Sequence, residues 1–82
     1  MITPVQCRAA RALLGVSQSQ LAEWAGVGLR SLQGFERGER QIQSLAIEAV
    51  ERILQREGIV LITEPGWTGV KLDVSRRAFE AP

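Results

Sequence analysis

Arginine dominates the charged side chains that this chain could use for binding. Nine of its ten basic residues are Arg, yet the formal net charge is only +1. A guanidinium group can form two parallel hydrogen bonds to a phosphate or to a guanine edge, which the ammonium group of Lys cannot do. The bias suits a nucleic-acid ligand. A GC-rich genome that favours Arg codons explains it equally well, and the low net charge adds no support.

The residue types that most catalytic and metal sites require are missing. The sequence has no His and a single cysteine, Cys7, so a zinc site is not expected and no intrachain disulfide can form. Cys7 has no base nearby in the sequence and is predicted to be a small buried hydrophobic residue. Because no Cys–base pair, metal cluster or phosphate-cradling Gly loop is present either, we expect no enzyme activity and no cofactor or metal.

The segment from Gln18 to Gly38 predicts two short helices joined by a turn. Apolar residues form one helical stripe, then a second: Leu21, Ala22 and Ala25, followed by Leu29, Leu32 and Phe35. Gly26 separates the stripes at a position typical of a left-handed helix end. Helices this short cannot each bury a face alone, so they are expected to pack across each other. This is a helix-turn-helix, whose second helix is free to enter the major groove of DNA.

The start of that second helix supplies the candidate base-contacting residues. Arg30 is the best of them, because it can bond O6 and N7 of guanine together, although a phosphate contact is nearly as well supported. Leu29 can touch a thymine methyl group or pack inside, while Ser31 and Gln33 can bond a phosphate or a base edge. Gly34 either lets the backbone approach a base closely or marks a place where no side chain is needed, and the second reading is slightly favoured. We assign Leu29, Arg30, Gln33 and Gly34 to bases and Ser31 to phosphate.

The pattern Gln-x-x-Leu-Ala-x-x-Ala-Gly-Val from Gln18, followed by Leu32 and by Glu36-x-Gly38, resembles the phage repressor and Cro class of proteins, the XRE family. The resemblance covers 3–57, about two thirds of the chain. The sequence departs from the family where Gly28 replaces the usual Ser or Thr cap and where Gly34 lies inside the recognition helix. It also turns strand-like in place of a fifth helix.

The resemblance implies roles for five further residues. Arg11 and Glu36 are implied to form a structural salt bridge between the first and third helices. Gln18, which opens the second helix, is implied to bond a backbone phosphate. Arg37 and Arg40 are implied to position the protein on phosphates without reading sequence. The implied partner is double-stranded DNA.

Helix signals also flank this segment. Thr3 and Gln6 fit a capping box at the start of a first helix that runs to about Leu14. Its predicted inward residues are Ala9, Ala10, Leu13 and Leu14. Ser44 is the candidate cap of a fourth helix that Gly58 ends.

After Gly58 the hydrophobic period changes to that of strands. Residues 59–63 are β-rich, Pro65 and Gly66 suit the centre of a type II turn, and Val70, Leu72 and Val74 alternate with polar residues. The predicted fold is mainly α. It comprises a four-helix repressor-like helix-turn-helix domain at 1–57, a C-terminal β-hairpin at 58–74 and a mobile tail at 75–82.

The hairpin is the candidate dimerisation element. Its first strand is apolar at consecutive positions, so both faces need cover and the fourth helix can cover only one. A second subunit could cover the other face, by strand pairing or face packing, through Ile59, Val60, Leu61, Ile62, Val70, Leu72 and Val74. Alternatively, the hairpin replaces the missing fifth helix in a monomer. Trp24 is expected to pack at the edge of the core rather than on DNA, and Trp67 either contacts a partner or is simply exposed.

Two functions fit these features. A chain of 82 residues without a signal-peptide pattern or a membrane-length apolar run is expected to be a single cytoplasmic domain. The first hypothesis is a homodimeric, repressor-type transcription regulator on an inverted-repeat operator, nucleoid-associated when bound. The alternative is an antitoxin-like or anti-activator module that binds a second protein through the hairpin. A stable homodimer would favour the first, and a monomer that needs a partner would favour the second.

Overall fold

The computed structural model describes residues 1–39 and 43–76, where four helices precede an antiparallel hairpin. The helices are α1 (Pro4–Leu14), α2 (Gln18–Ala25), α3 (Leu29–Glu36) and α4 (Ser44–Arg56). The strands are β1 (Ile59–Glu64) and β2 (Trp67–Leu72), and a short 3₁₀ helix follows at Val74–Arg76. The predicted fold, a four-helix helix-turn-helix domain with a C-terminal hairpin, is confirmed. Within these residues, no helix has the length and apolar character needed to span a bilayer.

Helix α1 begins with the predicted capping box. The N–H of Gln6 donates to Thr3 Oγ1 at 3.2 Å, and the N–H of Thr3 donates to Gln6 Oε1 at 3.0 Å. The buried residues of α1 are Gln6, Cys7, Ala10 and Leu14. The prediction that Leu13 faces inward is wrong, because one helical step from Leu14 turns Leu13 away from this stripe and leaves it 46% exposed.

The N-cap of α4 lies one residue before the predicted cap. The carbonyl of Gln43 accepts the N–H groups of Ala46 and Ile47, at 3.0 and 3.3 Å. Gln43 is therefore the N-cap and Ser44 is already helical, so the assignment of Ser44 as the cap is wrong. The buried stripe of α4, centred on Val50 and Leu54, packs against α2 and the hairpin.

The hairpin pairs Ile59 with Leu72 and Glu64 with Trp67 around a tight turn at Pro65 and Gly66. The φ of Gly66 is +82°, as the third position of a type II turn requires. Strand β2 ends earlier than predicted, so the placement of Val74 on it is wrong. The Asp73 carboxylate accepts the N–H and the hydroxyl of Ser75, at 3.1 and 2.6 Å, and this turns the chain into the 3₁₀ helix.

The hairpin shares a core with the helices. Ile59 is 1% exposed and belongs to the same cluster as Leu21, Leu32 and Leu54. Leu61, Val70 and Leu72 also pack against that cluster. Ile59, Leu61, Val70 and Leu72 were all expected to contact a second subunit. They face the chain's own core instead and are not free for face packing.

A buried glutamine also ties the hairpin to α1. Gln6 is fully buried, and its Nε2 donates to the carbonyls of Ile62 and Gly69, at 3.1 and 3.0 Å. At the hairpin base, the N–H of Asp73 donates to the carbonyl of Gly58 at 2.8 Å. These polar contacts fix the orientation of the hairpin relative to the helices.

Candidate nucleic-acid interface

The turn between α2 and α3 is set by two glycines and one apolar anchor. Gly26 ends α2 in the left-handed conformation, with φ of +69°, and the N–H of Val27 donates to the carbonyl of Ala22 at 3.0 Å. Gly28 precedes α3 in extended backbone and provides no side-chain cap. The side chains of Leu21 and Leu32 are 0% and 2% exposed, so α2 and α3 cross over a dry contact.

The start of α3 lies on the protein surface. Leu29 is 38% exposed, Arg30 and Ser31 are exposed, and Gln33 is half-buried. Leu32, Phe35 and Glu36 hold the opposite side of the helix in the core. Within residues 1–39 and 43–76, the Arg30 side chain forms no hydrogen bond or ion pair, so its guanidinium group is available to a ligand.

Gly34 is not exposed, although a base contact was predicted for it. It is buried within the chain, together with Leu32 and Phe35. A buried backbone segment offers almost no surface to a base. Burial leaves little of Gly34 exposed, and both readings of this residue stay predictions.

A buried carboxylate organises the helices behind this surface. Glu36 is 3% exposed, and Arg11 donates to both of its oxygens, from Nε to Oε2 and from Nη2 to Oε1, each at 2.7 Å. The implied pair is thus present as a bidentate salt bridge. Gln18 Nε2 donates to Oε1 at 2.9 Å and Cys7 Sγ donates to Oε2 at 3.2 Å. Arg8 donates to the backbone carbonyl of Glu36.

These contacts determine the charge states within the cluster. Burial is the largest influence on Glu36 and favours its neutral form, but hydrogen bonds from Arg11, Gln18 and Cys7 together hold the pKa of Glu36 below its usual value. The hydrogen bond to Glu36 raises the pKa of Arg11. Burial, and then the hydrogen bond to Glu36, raise the pKa of Cys7 far above that of a free thiol. The cluster is therefore an ionised pair at neutral pH, with Cys7 present as a protonated donor.

The family resemblance indicated the pairing of Arg11 with Glu36, but the other members of this cluster were not predicted from the sequence. Cys7 was expected to be buried, which is confirmed by its exposure of 0%, but its hydrogen bond to Glu36 was not foreseen. Cys7 and Arg11 are four residues apart, so they lie on the same face of α1. That spacing was the available signal. Arg8 gave no comparable signal, because its partner is a backbone atom.

The expected phosphate-contacting residues lie in different environments. Ser31 is exposed, whereas the Gln18 amide nitrogen is already bonded to Glu36. Arg37 donates from Nε and Nη2 to Glu39 Oε2, at 3.0 and 2.7 Å, in a pair whose side chains are 63% and 54% exposed. Arg40 lies outside the described residues.

Trp24 packs at the edge of the core, as expected. It is half-buried against the hydrophobic cluster, and with Ile53 and Arg56 of α4 it lines a shallow groove. The groove lies between α2 and α4, whereas the exposed residues considered for DNA contact belong to the start of α3. Packing therefore accounts for this aromatic residue.

The sequence was compared with known families and proteins. The sequence model of the family described as Helix-turn-helix matches residues 8–59, which include all of α2, α3 and α4. No curated protein matched the chain. The match covers more than half of the 82 residues and agrees with the two crossed helices and the turn between them. The chain therefore belongs to the helix-turn-helix family of the XRE type, whose members are DNA-binding transcription regulators.

Proposed function

We propose that this protein is a repressor-type transcription regulator that inserts α3 into the major groove of an inverted-repeat operator and acts as a homodimer. The observation that carries the proposal is the exposed start of α3. There, the Arg30 guanidinium group has no partner in the described part of the chain, while the other side of the helix is held in the core.

The support behind α3 favours specific recognition. A base-reading side chain discriminates well only if its helix is held rigidly, because small displacements lose the two-bond geometry. Buried Leu32 and Phe35 fix one side of α3, and the Glu36 carboxylate joins it to α1 and α2 through Arg11 and Gln18. Such a helix loses little conformational entropy when it binds DNA, because it is already held in place.

The proposed contacts divide by type. Arg30 reads a guanine, and Leu29 and Gln33 contact neighbouring bases. Ser31, Arg37 and Arg40 bond phosphates and set the register of the protein on DNA. Gln18 does the same through the second N–H of its amide, since the first donates to Glu36. Because Arg37 is paired with Glu39, its phosphate contact requires that exposed pair to open. An exposed pair of this kind contributes little stability, so its opening costs little.

A second candidate function is an antitoxin-like or anti-activator module that binds another protein. One observation favours it, the indole of Trp67, which is 73% exposed on the hairpin. We rank it second because it assigns no role to Arg30, whereas the regulator hypothesis leaves Trp67 free to serve in dimerisation.

DNA selection from a random pool tests the regulator hypothesis. We expect an inverted repeat to be enriched. The Arg30→Ala variant should bind that operator more weakly by about 1–3 kcal/mol and lose preference at one base pair per half-site. Arg52→Ala, which removes an exposed Arg from α4, is the matched control and should keep the wild-type preference. If a base-substitution scan gives the same profile for Arg30→Ala and for the wild type, Arg30 is not a base reader.

A further inference from the structure

Within the described residues, one face of the hairpin is turned away from the core cluster. Side chains alternate along a strand, and Ile59, Leu61, Val70 and Leu72 point to the core. The alternate residues therefore point away from it, and they define what we call the outer hairpin face: Val60, Ile62, Glu64, Trp67, Gly69 and Lys71. The pairing register arranges them in three rows, Val60 with Lys71, Ile62 with Gly69 and Glu64 with Trp67.

This face combines apolar character with open space. Trp67 is 73% exposed, whereas Val60 and Ile62 are half-buried and are not among the residues that pack against the core cluster. A Cβ atom built on Gly69 would have no neighbour within 4 Å, so the centre of the face is open. Exposed apolar surface of this kind on a small protein commonly marks an interaction site.

The two ends of the face differ in shape and in charge. At one end the Trp67 indole projects beside Glu64, which pairs with it across the strands. At the other end lies a groove of about 420 Å³ lined by Val60, Lys71, Leu72 and Asp73. A projecting aromatic side chain beside an acid thus lies at one end of the surface. The groove at the other end carries a base, Lys71, and an acid, Asp73, whose carboxylate accepts hydrogen bonds from Ser75.

We propose that a second copy of this chain docks on the outer hairpin face with its strands reversed, about a two-fold axis beside the Ile62–Gly69 row. This arrangement places the Glu64–Trp67 row of each copy over the Val60–Lys71 row of the other. Each Trp67 enters the groove of the partner copy beside its Lys71, and each Glu64 lies in the same row as a Lys71, diagonally across the interface. The proposal rests on the homodimer of the proposed function and specifies its interface.

Charge complementarity selects this orientation over the alternative. A two-fold axis parallel to the strands would also bring the faces together, but it would place each row over the same row of the partner, so that the two Lys71 residues share one row and the two Glu64 residues share another. Like charges brought together at an interface are unfavourable. In the reversed arrangement every contact occurs twice, since a two-fold interface uses the same surface on both copies. A buried aromatic side chain in a pocket is the usual energetic centre of such an interface.

The size of the face determines how strongly two copies are expected to associate. Strands of six residues give a face of roughly 20 Å by 10 Å. The area of this face is well below the roughly 800 Å² that each partner buries in a stable complex. The dimer is therefore concentration-dependent in free solution, and binding to adjacent half-sites strengthens it by raising the effective concentration.

Charge reversal tests the orientation directly. Glu64→Lys and Lys71→Glu, each alone, put like charges together in the reversed arrangement, and we expect each to weaken self-association at least tenfold in sedimentation equilibrium. Mixing the two variants restores both attractive contacts, so the mixture should form heterodimers. The double variant Glu64→Lys/Lys71→Glu should associate as the wild type does.

The remaining outcomes are equally decisive. Trp67→Ala should weaken association at least tenfold, while Glu48→Lys, a charge reversal on an exposed part of α4, should have no effect. The proposal is overturned if the single reversals associate like the wild type, if their mixture forms no heterodimer, or if the wild type stays monomeric throughout. Circular dichroism of each variant confirms that the chain is folded.

Binding to a single half-site separates this proposal from the function on which it rests. Monomeric variants that still bind one half-site specifically, as the wild type does, show that α3 recognition holds whatever the interface. Failure of the wild type to select any DNA sequence removes the proposed function, even if the charge-reversal results support the dimer.

Discussion

At the residue scale, the buried Glu36 carboxylate is a centre on which several polar contacts depend. Arg11, Gln18 and Cys7 all donate to its carboxylate, and they come from α1 and the start of α2. A buried charge without partners would be very unfavourable, so the three donors are what allow an acid to occupy this position. Removing one partner of such a buried pair typically costs about 3–5 kcal/mol, because the other charge is left stranded.

The lowered pKa of Glu36 gives a pH dependence of stability with a definite sign. Because the folded pKa lies below the unfolded value of about 4.3, the contribution of Glu36 is complete above that pH and is lost as the pH falls through the folded pKa. We expect the urea concentration at the unfolding midpoint of the wild type to decrease as the pH is lowered from 6 to 3. Glu36→Gln should be less stable than the wild type at pH 6, and its midpoint should change less over this range.

Other carboxylates also titrate, so a matched substitution is needed. Glu48 is exposed on α4 and its carboxylate forms no ion pair within the described residues. Glu48→Gln should therefore keep the wild-type pH dependence. Equal slopes for Glu36→Gln and Glu48→Gln would show that Glu36 is not held ionised by its neighbours.

At the scale of elements, the local signals in the sequence were sufficient for most boundaries. The Thr3–Gln6 capping box, Gly26 and the Pro65–Gly66 turn each act through atoms a few residues away, and each lies where it was predicted. The Arg11–Glu36 pair was implied by family resemblance, not by local pattern.

The features that the sequence did not reveal depend on competition or on distant contacts. Val74 fits a strand pattern, but the Asp73 carboxylate bonds Ser75 and ends the strand first. The contacts of Gln6 with the hairpin carbonyls link residues more than 50 positions apart, and no periodicity indicates them. Similarly, the apolar run of β1 indicated two faces but could not show which face the helices would cover.

The junction between α4 and the hairpin gives a prediction at this scale. Gly58 has φ of +97°, and a Cβ atom there would lie 2.3 Å from the backbone oxygen of Asp73. Gly58→Ala should therefore lower the free energy of unfolding by about 2 kcal/mol or more, through strain and displacement of the hairpin base. Gly15→Ala is the matched control, since its φ is +71° but nothing lies within 4 Å of the added atom.

Comparison of the two variants by urea denaturation isolates the close approach. Gly15→Ala carries only the cost of the left-handed conformation, roughly 1 kcal/mol. If Gly58→Ala is no less stable than Gly15→Ala, the hairpin base can move away freely and the contact with Asp73 does not constrain it.

At the scale of the whole molecule, the hairpin and the reading helix belong to one packed unit. Gln6 connects α1 to the hairpin, and Arg11 connects the same helix to α3 through Glu36. A second copy held on the hairpin would therefore have its α3 at a fixed distance and angle from the first. Dimer geometry is then transmitted to the spacing of DNA half-sites, with α1 as the common support.

Half-site spacing gives the corresponding prediction. One turn of DNA is roughly 34 Å long, and the major groove faces the same side of the duplex once per turn. Two copies related by a two-fold axis should therefore bind half-sites whose centres are about 10 base pairs, or a multiple of that, apart. Inserting about 5 base pairs turns one half-site to the opposite side of the duplex. We expect this insertion to lower operator affinity at least tenfold in a gel-shift titration, because the dimer can no longer engage both half-sites.

Binding to an isolated half-site, which needs one copy only, is the control and should be the same for duplexes of either length. Unchanged affinity after the insertion would mean that the copies bind independently, and the fixed dimer would then have to be abandoned even with α3 established as the reading helix.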